Sequence, residues 1–94
     1  DQVTGFLLYR SCMQILDEED RPLYGWPDVC RRLGTCFHYG TGTLKNLADA
    51  RVYLAKAVDG FKQRRENGDR FTDNVLSRAE AELDEVIREM KADA

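Results

Sequence analysis

The sequence has few of the residues that build metal and catalytic sites. It contains a single histidine, His38, and three cysteines, and no two cysteines are spaced as Cys-x-x-Cys. Structural and catalytic metal sites need several such ligands at close spacing. The sequence therefore predicts no metal site, and it shows no pattern that indicates a bound cofactor.

Catalytic constellations are also missing. His38 comes just before a Gly-x-Gly turn, where we expect a polar residue near the surface at a helix end. Cys36 is two residues away, so the two side chains diverge by about 200° on a helix and make a poor Cys–His pair. The segment Gly40–Gly42 follows a helix and lacks the Gly-Lys-Ser/Thr ending of a phosphate loop. The sequence thus predicts a protein that is not an enzyme.

Long hydrophobic runs and excess positive charge are absent. No apolar run approaches the roughly 20 residues of a membrane span, and Gly5–Tyr9 is too short and lacks the basic flank of a signal peptide. The net charge of −3 argues against non-specific nucleic-acid binding. We expect neither a membrane nor a nucleic-acid partner, and a cytoplasmic location. A start at Asp1 also fits a processed or excised chain that has lost a targeting segment.

The three cysteines leave at least one thiol outside any internal disulfide. Cys30 and Cys36 share one predicted helix and lie about 9 Å apart by helical rise, too far to bridge without unwinding it. Cys12 can in principle meet either of them. We expect all three to be thiols and small apolar core residues, as is typical of a reducing compartment.

Helical periodicity is what the sequence has in abundance. A chain of 94 residues indicates one domain, 1–94. Apolar residues recur at helical spacing over four segments, so the fold is predicted to be all-α with helices at 2–18, 27–39, 46–66 and 72–92. The first helix has apolar residues on two faces, which predicts burial on both sides. The acidic residues of the fourth helix have the spacing of a solvated face.

The central segment 29–60 predicts an antiparallel helical hairpin. Val29, Leu33 and Phe37 are spaced i, i+4, i+8 and share one helix face. Gly40 and Gly42 then allow the backbone two positive φ angles. Asn46 offers an N-cap oxygen to the next helix. The apolar stripe of that helix consists of Leu47, Ala50, Leu54, Ala57, Val58 and Phe61.

This segment resembles a Sel1-like repeat, a relative of the tetratricopeptide repeat. The residues that carry the resemblance are Leu33-Gly34, Phe37, Gly40-Thr41-Gly42, Ala50, Tyr53-Leu54 and Lys56-Ala57-Val58. The sequence departs from the family pattern at Thr43, Asn46 and Asp49, and the glycine expected at the helix end comes one residue early, at Gly60. The match spans about one third of the chain.

The resemblance implies helical hairpins stacked as a short right-handed superhelix, with a clear repeat at about 29–61 flanked by half-repeats. It also implies a protein–protein interaction adaptor or scaffold that binds a protein or peptide partner. Two other functions stay open. One is a structural helical domain that forms homo-oligomers, because a single repeat does not normally bury both of its faces. The other is a non-catalytic accessory domain of an enzyme.

The predicted partner surface is the groove between the first and third helices together with the loop at 19–27. Its candidate binding residues are Tyr24, Trp26, Arg31 and Tyr53. Tyrosine and tryptophan frequently anchor interfaces, but the loop aromatics can equally pack as a lid over the helix ends. The basic residues around Arg31 and at the end of the third helix form either an ordinary helix C-terminus or a patch for an acidic partner.

Overall fold

The fold is all-α. The computed structural model describes residues 1–18, 26–69 and 71–92, and the side chains of these except residues 13–18. It contains four helices in this described part: α1 (Gln2–Glu18), α2 (Trp26–Tyr39), α3 (Leu47–Glu66) and α4 (Thr72–Ala92). The predicted helices are confirmed, with ends that differ by at most one residue. Periodic apolar positions and flanking glycines fixed these bounds well.

The connection between α2 and α3 is a tight turn with the geometry expected of its glycines. Gly40 and Gly42 have φ angles of 71° and 74°, which confirms the predicted positive values. The Thr41 N–H donates to the carbonyl of Cys36 at 2.9 Å and closes the end of α2. Asn46 caps α3 by accepting a hydrogen bond from the Asp49 N–H at 3.0 Å. The chain therefore reverses direction within a few residues.

The helices pack in chain order, α1 on α2, α2 on α3 and α3 on α4. Asp28 at the start of α2 accepts a 3.0 Å hydrogen bond from Arg64 near the end of α3, so these two helices are antiparallel. Met90 packs near Leu47 and Ala50, so the end of α4 meets the start of α3. It follows that α2 and α4 run in the same direction on one side of α3.

The core lies between α2, α3 and α4. Its fully buried members include Leu33 and Leu54, as predicted, and the small residues Ala50 and Ala57. A glycine also sets the spacing of α2 and α3: a Cβ on Gly34 would lie 2.6 Å from Cγ of Leu54. No larger residue fits there, because heavy atoms do not approach so closely in a packed interior.

Several sequence-based expectations need correction. Gly60 does not end α3, which continues to Glu66; a Cβ on Gly60 would lie 2.6 Å from Cγ of Pro27, so this glycine serves a close contact with α2. The expectation that α1 is buried on two sides is wrong for its described side chains. Val3, Leu7 and Leu8 are 51–62% exposed, because α1 has α2 as its main neighbour.

The cysteines are thiols as predicted, but the prediction that they are core residues is wrong for Cys12. Cys30 and Cys36 are buried, Cys12 is exposed, and all three are thiols. Of the four helices, none is both long and apolar enough to cross a membrane over the residues described.

Candidate functional site

The last turn of α2 faces α4 with a histidine and a threonine. Thr35 and His38 are three residues apart, so both project from the same face of α2. Glu82, Glu85 and Glu89 follow one another at i, i+3 and i+7 along α4 and likewise share a face. Because α2 and α4 are parallel, these two faces meet and bring one imidazole among several carboxylates. We call these five residues the His38 cluster.

The cluster is connected by hydrogen bonds that cross from α2 to α4. Nδ1 of His38 lies 2.9 Å from Oε2 of Glu82, and the Thr35 hydroxyl donates to Oε1 of the same carboxylate at 2.8 Å. Nε2 of His38 contacts Oε2 of Glu89. The other oxygen of Glu89 lies 3.9 Å from Nζ of Lys45. Both ring nitrogens of His38 therefore face carboxylates.

His38 is buried to 1% exposure, which corrects the expectation that it lies near the surface. Burial by itself lowers the pKa of an imidazole, since it penalises the charged form. Here the hydrogen bonds to Glu82 and Glu89 and their negative charges outweigh burial, so the pKa of His38 is raised above its usual value. The two carboxylates thus favour a positive charge at the imidazole.

The electrostatic field around the cluster is negative. Partial burial raises the pKa of the Tyr39 hydroxyl, and the charges of Glu85, Glu82 and Glu89 raise it further. The ring of Tyr39 stacks on the imidazole of His38 with 4.1 Å between centroids. The side of the cluster next to Tyr39 is solvent-accessible, because Tyr39 and Glu85 are both exposed.

Three side chains of the cluster are placed so that they can hold a metal ion. His38, Glu85 and Glu89 each offer one ligand atom, and these atoms lie within 4.8 Å of one another. The sequence predicted no metal site, because its three cysteines and single histidine are not spaced as metal ligands. The acidic residues of α4 were predicted to form a solvated face. Glu82 corrects this prediction, because its side chain is only 16% exposed. The available signal was the spacing of the three glutamates.

Nucleophilic catalysis has little support from this geometry. Both nitrogens of His38 contact carboxylates rather than a thiol or hydroxyl nucleophile. Burial raises the pKa of the Cys36 thiol, which disfavours the reactive thiolate.

A second surface is an apolar groove on the opposite flank of α2, between α1 and α3. Phe37 of α2 forms its floor: the Phe6 ring of α1 meets Phe37 edge-on at 5.3 Å, and Tyr53 of α3 stacks on it at 5.7 Å. Val3 and Leu7 continue this row on the side of α1 next to Phe6. We call these five residues the α1–α3 groove.

The predicted binding residues are spread over the molecule. Tyr24 lies outside the described residues. Trp26 is half-buried and packs against the core beside Gly60, about 10 Å along α3 from Tyr53 by helical rise. Arg31 is half-buried, and its Nε is buried with no hydrogen-bond partner among the described atoms. Tyr53 is the one of the three described residues that lines the α1–α3 groove.

Comparison with known proteins adds no family. No family model, curated protein or solved structure matches this chain. The function is therefore inferred from the geometry of the His38 cluster and the α1–α3 groove.

Proposed function

We propose that this chain is a non-catalytic protein-interaction domain of the Sel1-like type, which binds an amphipathic helix of a partner protein in the α1–α3 groove. The observation that carries the proposal is the exposed apolar flank of α1. Val3 and Leu7 are 55% and 51% exposed, and they lie next to an aromatic row that is already ordered. Exposed apolar surface that borders a packed groove is typical of a docking site for a helix.

The charges beside the groove favour an acidic partner. Arg10 follows Leu7 by three residues and is exposed, and Nζ of Lys56 lies 5.6 Å from the centre of the Tyr53 ring. Basic residues on both walls complement acidic residues at the edges of an amphipathic helix. The chain's own net charge of −3 makes nucleic acid a poor alternative ligand.

The resemblance to Sel1-like repeats supports the same function, because the matched residues pack a hairpin rather than form an active site. The thiol state of the cysteines agrees with a reducing compartment, and we propose the cytoplasm. A second copy of the chain is the competing occupant of the groove, which would make the domain an oligomerisation unit.

The test compares two neighbouring leucines of α1. Leu7→Glu places a carboxylate in the groove, whereas Leu8→Glu makes the same change on the other flank of the same helix, where Leu8 is 62% exposed. Proteins captured by the parent chain are identified, and the helical segment responsible is synthesised and titrated calorimetrically. We expect Leu7→Glu to weaken binding by about 1–3 kcal/mol, or roughly 5- to 150-fold. Leu8→Glu should bind like the parent.

Two outcomes would contradict the proposal. Equal binding by the Leu7→Glu and Leu8→Glu variants would place the partner elsewhere. Light scattering that shows a dimer of the parent, converted to a monomer by Leu7→Glu alone, would assign the groove to a second copy. A partner helix with basic flanks would refute the charge argument.

A further inference from the structure

We propose that His38, Glu85 and Glu89 form a binding site for a divalent cation of the zinc type, which connects the end of α2 to α4. This site lies on the α4 side of α2, so the inference does not depend on the proposed function of the α1–α3 groove.

The contact between Nε2 of His38 and the carboxylate of Glu89 requires a cation, either a proton or a metal ion. The neutral imidazole has one N–H and one lone pair. When Nδ1 donates to Glu82, Nε2 carries the lone pair and faces a carboxylate oxygen of Glu89. Two acceptors in contact repel each other, so Nε2 must either carry a proton or bind a metal ion that Glu89 shares. Since the imidazole is buried, the side chain cannot turn to water to escape this contact.

Glu85 supplies a third ligand atom near His38 and Glu89. A proton on Nε2 satisfies His38 and Glu89 but does not involve Glu85. A metal ion uses all three, because their ligand atoms lie within 4.8 Å of one another. Tetrahedral Zn²⁺ with ligands at about 2.0–2.2 Å requires separations of roughly 3.3–3.6 Å. Glu85 is exposed and Glu89 is half-buried, so both carboxylates can rotate. Glu85 has to turn towards the imidazole, and Glu89 has to move back from its direct contact with Nε2.

The orientation of the imidazole also supports a metal site. Histidines that bind metals typically donate their other N–H to a carboxylate, which fixes the tautomer and raises the basicity of the ligand nitrogen. Glu82 contacts Nδ1 at 2.9 Å, and Thr35 holds Glu82 in turn at 2.8 Å. The arrangement leaves Nε2 as the ligand atom, directed towards Glu89.

The choice of metal follows from the donors. One imidazole nitrogen and two carboxylates suit Zn²⁺ and neighbouring transition metals better than Mg²⁺ or Ca²⁺, which prefer oxygen ligands alone. Three protein ligands leave one tetrahedral position for water, on the exposed side next to Tyr39. Lys45 opposes the cation only weakly, since Nζ is 3.9 Å from Glu89 and the side chain is exposed.

The experiment measures zinc binding by the whole chain after removal of metals with a chelator. Cys12 is an exposed thiol, and thiols are zinc ligands, so the parent for this test carries Cys12→Ser and is kept reduced. Calorimetry with Zn²⁺ should give one site per chain. Saturating Zn²⁺ should raise the Tm by at least about 5 °C, whereas Mg²⁺ at the same concentration should leave it unchanged.

The decisive variant is Glu85→Gln. Since Glu85 is exposed, the metal-free Tm should stay at the parent value, and zinc affinity should fall at least tenfold. The matched control is Glu80→Gln, which removes the same charge from an exposed position on a different face of α4; it should bind zinc like the parent. Glu82→Gln should weaken binding by about 10- to 100-fold through the imidazole orientation.

The spectrum of the Co²⁺-loaded protein checks the ligand type, because the proposed site contains no thiolate. An intense thiolate-to-metal charge-transfer band would assign the metal to Cys30 or Cys36 and overturn the inference. Absence of zinc binding would leave a protonated His38 between the carboxylates and also overturn it. Equal affinity of the Glu85→Gln and Glu80→Gln variants would do the same.

Discussion

The substitution Gly42→Ala tests how α1 is held on the rest of the fold. Gly42 has a φ angle of 74°, and a Cβ built there would lie 2.1 Å from the carbonyl oxygen of Gln2 and 3.0 Å from Cβ of Phe6. An alanine at this φ costs about 1–2 kcal/mol in backbone strain. The clash adds to this, because a backbone carbonyl in the first turn of α1 cannot move without the helix.

The size of the added cost follows from what α1 buries. Phe6 is 6% exposed and is the one α1 side chain described as fully buried. Losing the burial of a phenylalanine costs about 1.5–3 kcal/mol. If the clash displaces α1, Gly42→Ala should therefore lower the free energy of unfolding by about 2.5–5 kcal/mol in total. This is a large part of the stability of a small domain.

Gly68→Ala is the matched control for backbone strain. Gly68 has a φ angle of 98°, and a Cβ there would meet nothing within 4 Å. Its substitution should cost about 1–2 kcal/mol from backbone strain alone. The two variants thus separate the strain from the contact with α1.

Urea unfolding and hydrogen exchange distinguish the two effects. Gly42→Ala should show a smaller m-value than the parent, because a displaced α1 has less surface left to expose on unfolding. Amides of α1 should lose protection while those of α3 keep it. The reasoning is refuted if Gly42→Ala and Gly68→Ala cost the same and leave the m-value and the exchange of α1 unchanged.

Three further measurements test the core, the thiols and the buried histidine. Leu33→Ala should lower the free energy of unfolding by about 2–5 kcal/mol and Leu44→Ala by less than about 0.5, because Leu33 is fully buried and Leu44 is 87% exposed; equal thermal melts would disprove the register of α2. Denatured, non-reduced protein should show three reactive thiols, and native protein one fast thiol, Cys12, since the other two cysteines are buried; a count of one after denaturation would reveal a disulfide. The folded pKa of His38 is raised, so in the presence of a chelator its contribution to stability should be complete below about pH 6.5 and should be lost as the pH rises through the folded value. Glu89→Gln should reduce this dependence, and an unchanged pH profile in that variant would contradict the assignment.

The helices could be predicted from the sequence because each one has apolar residues at helical spacing within its own segment. Leu76, Ala79, Leu83 and Val86 repeat at three- and four-residue intervals, and this repeat predicts the helix that forms α4. The α2–α3 turn could be predicted in the same way, because Gly40 and Gly42 allow two positive φ angles within three residues. Such patterns need no knowledge of the remaining chain.

The His38 cluster could not be predicted because its contacts are distant in the sequence. His38 and Glu82 are 44 positions apart, and His38 and Glu89 are 51. Only the parallel placement of α2 and α4 on one side of α3 brings them together. A glutamate that faces water and a glutamate that faces a buried histidine have the same local pattern. The exposed flank of α1 was missed for a related reason, since apolar spacing does not say which neighbour covers a helix.

The two proposed sites share α2 but use different flanks of it, so they can be tested independently. Phe37 directs its ring towards α1 and α3. His38 is the next residue, turned by about 100° around the helix, and directs its imidazole towards α4. Glu85→Gln should leave binding of the partner helix unchanged, and Leu7→Glu should leave zinc affinity unchanged, because substitutions at distant sites without shared contacts act additively. If zinc nevertheless strengthens binding of the partner helix, the shortest connection between the two sites is the last turn of α2, where Phe37 and His38 are adjacent. Linkage then requires the partner helix to strengthen zinc binding by the same factor, which gives a direct check on the coupling.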